Sequence, residues 1–455
     1  MKTINAFDSS ALHTLPERQQ ALIRRREALL GPAYRLFYQE PVELVRGEGV
    51  WVWDAAGKRY LDAYNNVVSL GHCHPHVVQA LHQQAQRINT HTRYLNEALL
   101  DYAERLLATH HPSLNRIMFT CTGSEANDLA LRLAQFHTGG TGVIVTDWAY
   151  HGVTQTTSGC SPSLGRLGSG PPHVYTVPPP RSITPPAGAQ ASALAAPDAV
   201  AAQFAASIDA AVARMRADGV RPAALLLDTL FTSDGVFGNP AGFLQMAVER
   251  AHAAGMLVIA DEVQPGFGRT GSAMWGYQRH GVAPDLVTMG KPMGNGHPLA
   301  GLCTRQHLLD DFGRATRYFN TFGGNTVSAA VGAAVLDVLE REHLLAHCAA
   351  LGSRFGQQLQ ALAQQHACVG EVRQFGLFLG VELVQGHAPT CPAPELTTAV
   401  VNGMRERGVL ISACSQSANV LKIRPPLVIQ DAEVDFFVAT LHDTLAALAQ
   451  STAGN

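Results

Sequence analysis

Through the middle of the chain, short runs of consecutive apolar residues alternate with stretches of helical spacing. Ile117-Met118-Phe119, Val143-Ile144-Val145, Ala224-Leu225-Leu226-Leu227, Met256-Leu257-Val258-Ile259-Ala260 and Leu286-Val287-Thr288-Met289 are such runs. Unbroken apolar runs are the mark of strands buried on both faces, and helices between them predict an α/β sheet covered on both sides. Upstream, Val50-Trp51-Val52-Trp53 and Lys58-Arg59-Tyr60-Leu61 flank an Asp54-Ala55-Ala56-Gly57 turn, which predicts a hairpin. Helical spacing follows Pro75 at Val77, Val78, Leu81, Ala85 and Ile88. Residues 17–30 read as a helix with Arg24, Arg25 and Arg26 on its solvated face. Asp431 reads as the N-cap of a last helix with Val434, Phe437, Leu441, Leu445 and Leu448 in one stripe. The Pro- and Ala-rich segment between Pro171 and Ala206 reads as an ordered surface excursion or a partly mobile loop.

Composition narrows the class. At 455 residues, 46% hydrophobic and 15% charged, the chain suits two or three domains with a large core. Lys and Arg total 33 against 36 Asp and Glu, too even for a nucleic-acid binder or an acidic disordered chain. Eight cysteines without a Cys-x-x-Cys pair read as free thiols of a reducing compartment. Residues 1–15 lack the basic and apolar regions of a signal peptide, and no 18-residue uncharged apolar run occurs. A cytoplasmic protein with neither nucleic acid nor membrane as partner is the expectation.

Ligands of open α/β sheets sit beyond the carboxyl ends of the strands. After the first run comes Thr122-Gly123-Ser124-Glu125-Ala126-Asn127, opening a helix; a Gly-Ser turn there offers free N–H groups to a phosphate. The other runs lead to Asp147 and Tyr150-His151-Gly152, to Asp228, to Asp261-Glu262-Val263-Gln264, and to Gly290-Lys291. Singly these are a helix cap, structural acids and a solvated lysine. Together they describe a pocket for pyridoxal 5′-phosphate, which needs an amine, an acid facing the pyridine nitrogen and a phosphate cradle. Lys291 supplies the amine, Asp261 keeps the ring nitrogen protonated, and Tyr150 stacks on the ring.

Ala260-Asp261-Glu262-Val263-Gln264-Pro265-Gly266-Phe267-Gly268-Arg269-Thr270-Gly271 resembles the signature of class III aminotransferases, fold-type I pyridoxal-phosphate enzymes, with the lysine 30 residues beyond Asp261. Gly71-His72-Cys73-His74-Pro75, Tyr150-His151-Gly152, Thr321-Phe322-Gly323-Gly324-Asn325 and Asn419-Val420-Leu421 leading to Pro425-Pro426-Leu427 also match, in order, from about Gly47 to Val438. The resemblance implies a large domain with a mostly parallel seven-stranded sheet (residues 61–327), and a smaller α+β domain drawn from both chain ends (1–60 and 328–455). It implies Lys291 in a Schiff base, Asp261 on the ring nitrogen, Val263 against the ring and Gln264 near its phenolic oxygen. Tyr150 lies on the other face, Gly123 and Ser124 hold the phosphate, and His151 and Asp228 line the same site. It further implies a homodimer, whether or not dimers pair into tetramers, in which Thr321 of the partner subunit reaches the same phosphate.

The reaction is less constrained, since transamination and elimination share a lysine base. Family members often carry Arg after Asn-Val-Leu; here Lys422 takes that place, and Arg424 follows on the same strand face. Asp228 stands where a Glu is frequent. The pair meets a substrate carboxylate or phosphate, or is a surface pair. Asn65-Asn66-Val67, the 289–298 segment and Tyr318-Phe319-Asn320-Thr321-Phe322 are similar to the ethanolamine-phosphate phospho-lyase branch, whereas residues 153–158 depart from it. The expectation is an aminotransferase passing an amino group from an amine or amino acid to a keto acid such as pyruvate; a phospho-lyase releasing phosphate and ammonia from a small phosphoamine is the alternative. His72-Cys73-His74, with His76 close by, is dense enough in potential ligands to suggest zinc, but no second cluster follows, and a turn before the Pro75 helix is the better reading. A non-enzymatic scaffold would dispense with the lysine, which this chain has.

Overall fold

A computed structural model describes residues 5–165, 170–180, 197–386 and 388–453. Much of the Pro- and Ala-rich excursion, from residue 181 to 196, lies outside the described residues. The strands are β1 Leu44–Glu48, β2 Trp51–Asp54, β3 Arg59–Asp62, β4 Arg116–Thr120, β5 Gly142–Thr146, β6 Val174–Val177, β7 Pro222–Asp228, β8 Leu257–Asp261, β9 Leu286–Met289 and β10 Ala300–Thr304. Then come β11 Val369–Phe375, β12 Phe378–Gln385, β13 Ala388–Pro392, β14 Val409–Leu410, β15 Ser412–Cys414 and β16 Val420–Ile423.

Seven strands form the main sheet in the order β4-β10-β9-β8-β7-β5-β6. Only β10 runs against its neighbours. Each apolar run is a strand because successive side chains must satisfy opposite faces. Ile144, Leu225, Leu227 and Val258 pack beneath the helices Pro197–Ala217 and Leu244–Ala253. Their neighbours Val143, Val145, Ala224, Leu226 and Ile259 pack on the other face under the helix Gly123–Thr138.

Two further sheets carry the chain ends. β14 joins β3 in parallel, so residues 409–410 extend the sheet of the N-terminal hairpin. The last sheet runs β11-β12-β16-β15, with β13 on β12. The expected hairpin is β2 and β3 with Gly57 at positive φ in the turn. The helix after Pro75 ends at Arg87, leaving Ile88 and Val78 exposed while Val77 is buried. Asp431 is the first helical residue instead of the cap; it pairs with Arg354, and Glu433 accepts from Gln430 N. Among the described residues no helix is long and apolar enough to cross a membrane.

Candidate active site

The register of the main sheet brings the chemistry together. Asp228 lies beside Asp261 at the ends of β7 and β8, and Asp261 beside Thr288 on β9, two residues before Gly290-Lys291. Next to them the helix Gly123–Thr138 begins. Thr122 caps it, accepting from Glu125 N at 3.2 Å, while Glu125 Oε2 accepts from Thr122 N at 2.9 Å and Cys121 N at 2.8 Å. The box fixes the first turn, whose Gly123 and Ser124 N–H groups have no partner within the helix. Gly123 must be glycine: a Cβ there would sit 2.9 Å from Val263 Cγ2. Thr122→Ala is expected to cost about 1 kcal/mol in a denaturant titration and to loosen anion binding at this turn.

Asp261 is buried and has three hydrogen-bond partners. His151 Nδ1 lies 2.7 Å and Asn127 Nδ2 2.9 Å from Oδ2, and Val263 N donates to Oδ1 at 3.1 Å. With Asp261 as a carboxylate, His151 donates from Nδ1, and all three contacts are hydrogen bonds to the acid. Asn127 also donates to His151 O at 2.8 Å and accepts from Thr288 Oγ1 at 2.6 Å. Lys291 starts a short helical turn with φ of 33°, a region that side chains rarely adopt. Its Nζ is 6.0 Å from the centre of the Tyr150 ring. Burial lowers its pKa, and Arg424 adds to that, against the opposing pull of Asp261 and Asp228.

Asp228 accepts from Leu230 N at 3.0 Å, Thr232 N at 3.1 Å and the Thr232 hydroxyl. Burial raises its pKa. Gln264 bridges the two halves of the cavity: Nε2 donates to Thr232 Oγ1 and Oε1 accepts from Arg424 Nη1 at 3.0 Å. Lys422 and Arg424 are both 7% exposed, so the surface-pair reading fails. β16 lies inside its sheet between β12 and β15, and its far neighbours bury it. Thr321 stands apart, exposed on a loop whose Asn320 reaches Glu125 Oε1 at 3.5 Å. His72, His74 and His76 turn to different acids: Asp62 at 2.8 Å, Glu342 at 3.8 Å and Asp337 at 2.9 Å.

An amine, a carboxylate fixed by three donors and an open helix N-terminus beside a ring-bearing Tyr150 fit pyridoxal phosphate. Asn127, Thr288 and Thr232 were not among the residues singled out from sequence. Asn127 had a signal, being a polar residue at helical spacing from the apolar Ala130, Leu131 and Ala134.

A family model described as aminotransferase class-III matches residues 37–445. An alanine–glyoxylate aminotransferase 2-like protein of Drosophila melanogaster is 38% identical over 94% of this chain and 87% of its own. A solved phospholyase from Arthrobacter, in complex with phosphoethanolamine, superposes with a TM-score of 0.88 at 45% identity, covering 93% of this chain and 99% of its own. A thermostable (S)-enantioselective omega-transaminase from Thermomicrobium roseum gives 0.81 at 28% identity, covering 96% and 97%.

Proposed function

The chain belongs to the class III aminotransferases, a pyridoxal-phosphate-dependent family, and from that premise we propose that it moves an amino group from an amine or amino acid to a keto acid such as pyruvate. The convergence of Lys291, Tyr150 and the triply hydrogen-bonded Asp261 at adjoining strand ends supports the pyridoxal-phosphate chemistry, and the observation that carries transamination is the match to the aminotransferase family over residues 37–445. Pyridoxal phosphate, when bound, supplies the electron sink for the pair left as the substrate α-carbon loses its proton.

The protein's own groups do the rest. Lys291 Nζ anchors the aldehyde and, once freed, takes and returns the α-proton. Its lowered pKa keeps more of the amine in the neutral, proton-accepting form. Asp261, oriented by His151, Asn127 and Val263 N, would face the pyridine nitrogen. Gly123 and Ser124 N–H groups hold the phosphate at the helix start. Gln264, held by Arg424 Nη1 at 3.0 Å, would stand near the ring's phenolic oxygen, and Lys422 with Arg424 would meet the anionic end of a substrate.

A second reading is favoured by two particulars: the 45% identity to a phospholyase, against 28% to the omega-transaminase, and the burial of two cations where a dianion could enter. In that reaction Lys291 takes the same α-proton, but the electron pair expels phosphate from the neighbouring carbon, and water then hydrolyses the unsaturated amine left behind to ammonia and an aldehyde. One experiment separates them. The holoenzyme is given a panel of amines and amino acids with pyruvate, and separately phosphoethanolamine alone. Alanine formation carries the aminotransferase; phosphate release without alanine carries the lyase.

A homodimer completes the site. Support comes from an apolar surface next to the cradle loop: Leu95 and Phe322 are exposed at 101% and 70%, with Tyr94 and Phe319 beside them in sequence and also exposed. A monomer rarely leaves such groups uncovered together. Light scattering after gel filtration is expected to give twice the 48.6 kDa chain mass, and Phe322→Asp to shift that mass toward the monomer. All eight cysteines are free thiols, which supports a cytoplasmic setting.

A further inference from the structure

Lys422 is a buried cation of the site that forms no ion pair among the described residues. Across the sheet its neighbours are Gly380 on β12 and Ser412 on β15, small residues that leave the lysine stem room inside the fold. Arg424 is tied down: Nη1 donates to Gln264 Oε1 at 3.0 Å, and its guanidinium lies 4.9 Å from the Tyr64 ring centre. Its Nε is buried and lacks an acceptor among the described residues. Lys422 Nζ instead lies 5.6 Å from the Phe378 ring centre, and among the described residues it forms no ion pair. The charged and titratable groups that face it are Arg424 on its own strand, Lys291 after β9, Cys414 on β15 and Asp228 on β7. Asp228 is occupied by Leu230 N, Thr232 N and the Thr232 hydroxyl. The fixed charge of Arg424 beside a carboxylate already engaged by three donors leaves an ammonium here undersupplied with negative charge. Burial, then Arg424, bring the Lys422 amine down to about 7.

We propose that Lys422 is the adjustable charge of the substrate-anion subsite: it takes up a proton as an anion enters, and so makes the site select a dianion over a monoanion. This rests on Lys422 and Arg424 meeting the anionic end of the substrate. Above neutral pH the free site presents the fixed charge of Arg424 and a mostly neutral Lys422, a match for a carboxylate. A dianion beside Nζ favours the charged amine and raises its pKa, drawing one proton from water. The site then sets two positive charges against two negative ones. Below the free pKa the proton is already present, so uptake vanishes on the acid side, and dianion affinity falls as pH rises through and beyond neutrality. The favoured substrate class is an amine bearing a phosphomonoester.

Sulfate tests this, being a dianion that exchanges no proton of its own near neutrality. The holoenzyme, whose cofactor phosphate fills the Gly123 cradle, is titrated with sulfate by calorimetry in two buffers of different ionisation enthalpy. Expected is uptake approaching one proton per sulfate at about pH 8, little at about pH 6, and much less with acetate at either pH. Lys422→Arg should bind sulfate with no uptake, and Lys422→Met should bind at least about tenfold more weakly with none. Sulfate binding without uptake, uptake surviving in Lys422→Met, or no sulfate binding by the unaltered enzyme would each overturn the proposal. The reaction itself is judged separately. Alanine or phosphate formation by an enzyme that binds sulfate without a proton leaves the functional reading standing and removes this one. Full proton uptake with no turnover of any amine does the reverse.

Discussion

Lys291→Ala is expected to lower turnover at least about a thousandfold, because one truncation removes both the anchor for the aldehyde and the base for the α-proton. The loss should be chemical and not structural. Lys291 is a partly buried side chain at the start of a short turn, and alanine meets the same positive-φ cost that lysine already bears. Far-ultraviolet circular dichroism and the denaturation midpoint should therefore stay near those of the unaltered protein, while the visible absorption band of the bound cofactor moves, since the covalent link is gone. Lys291→Arg provides the complementary control. It keeps a cation facing Asp261 and Asp228, yet its guanidinium neither condenses with an aldehyde nor accepts a proton near neutrality. Both variants should be equally inactive. Activity within tenfold of the parent in either one would remove Lys291 from the chemistry.

How far the sequence led can be judged from particular strands. β5, β7, β8 and β9 were legible because each is buried on both faces by side chains of its own, so an apolar run is obligatory. β10 was not. Its Ala300-Gly301-Leu302-Cys303-Thr304 looks like a turn, and it is a strand because β4 approaches so closely that a Cβ on Gly301 would meet Met118 O at 3.1 Å. β6 has four residues at the sheet edge, and no run announces it. Such information resides in the neighbouring strand, not in the segment itself.

The same division runs through the site. Lys291, Asp261, Gly123 and Tyr150 follow strand ends and so were readable from position alone. The shared face of Lys422 and Arg424 followed from alternation, but their burial depends on β12 and β15, distant in sequence. Glu262 sits inside the recognised signature and received no role there. In the fold it is fully buried, accepting from Thr229 Oγ1, Gly276 N and Tyr277 N at 2.7–2.8 Å, and burial pushes its pKa up to about 7. It stitches the loop after β8 to the helical turn at Gly276, which is a structural reason for an acid beside Asp261. Asn127 and Thr288 were missed for a related reason: their roles exist only once Asp261 is set between them.

That setting makes Asp261→Asn the most informative substitution after Lys291. The amide preserves shape and size but removes the charge. It also replaces one acceptor oxygen with an NH2 group, while His151 Nδ1, Asn127 Nδ2 and Val263 N all point donors at this position. Whichever way the amide turns, one donor faces another, so the side chain loses its fixed orientation as well as its charge. With no carboxylate opposite it, the pyridine nitrogen is no longer held protonated, and the electron sink weakens at the moment the α-proton leaves. Turnover is expected to fall by about a hundredfold to a thousandfold, the scale on which one preorganised electrostatic contact acts. The Michaelis constant should change far less, because Lys422, Arg424 and the Gly123 cradle are untouched. Asn127→Ala separates charge from positioning: Asp261 keeps its charge, His151 and Val263 N, and loses one donor, so a smaller fall in turnover is expected with the cofactor band shifted in its pH titration. If Asp261→Asn instead raises the Michaelis constant and spares turnover, the carboxylate serves binding alone and the pyridine nitrogen is not its partner.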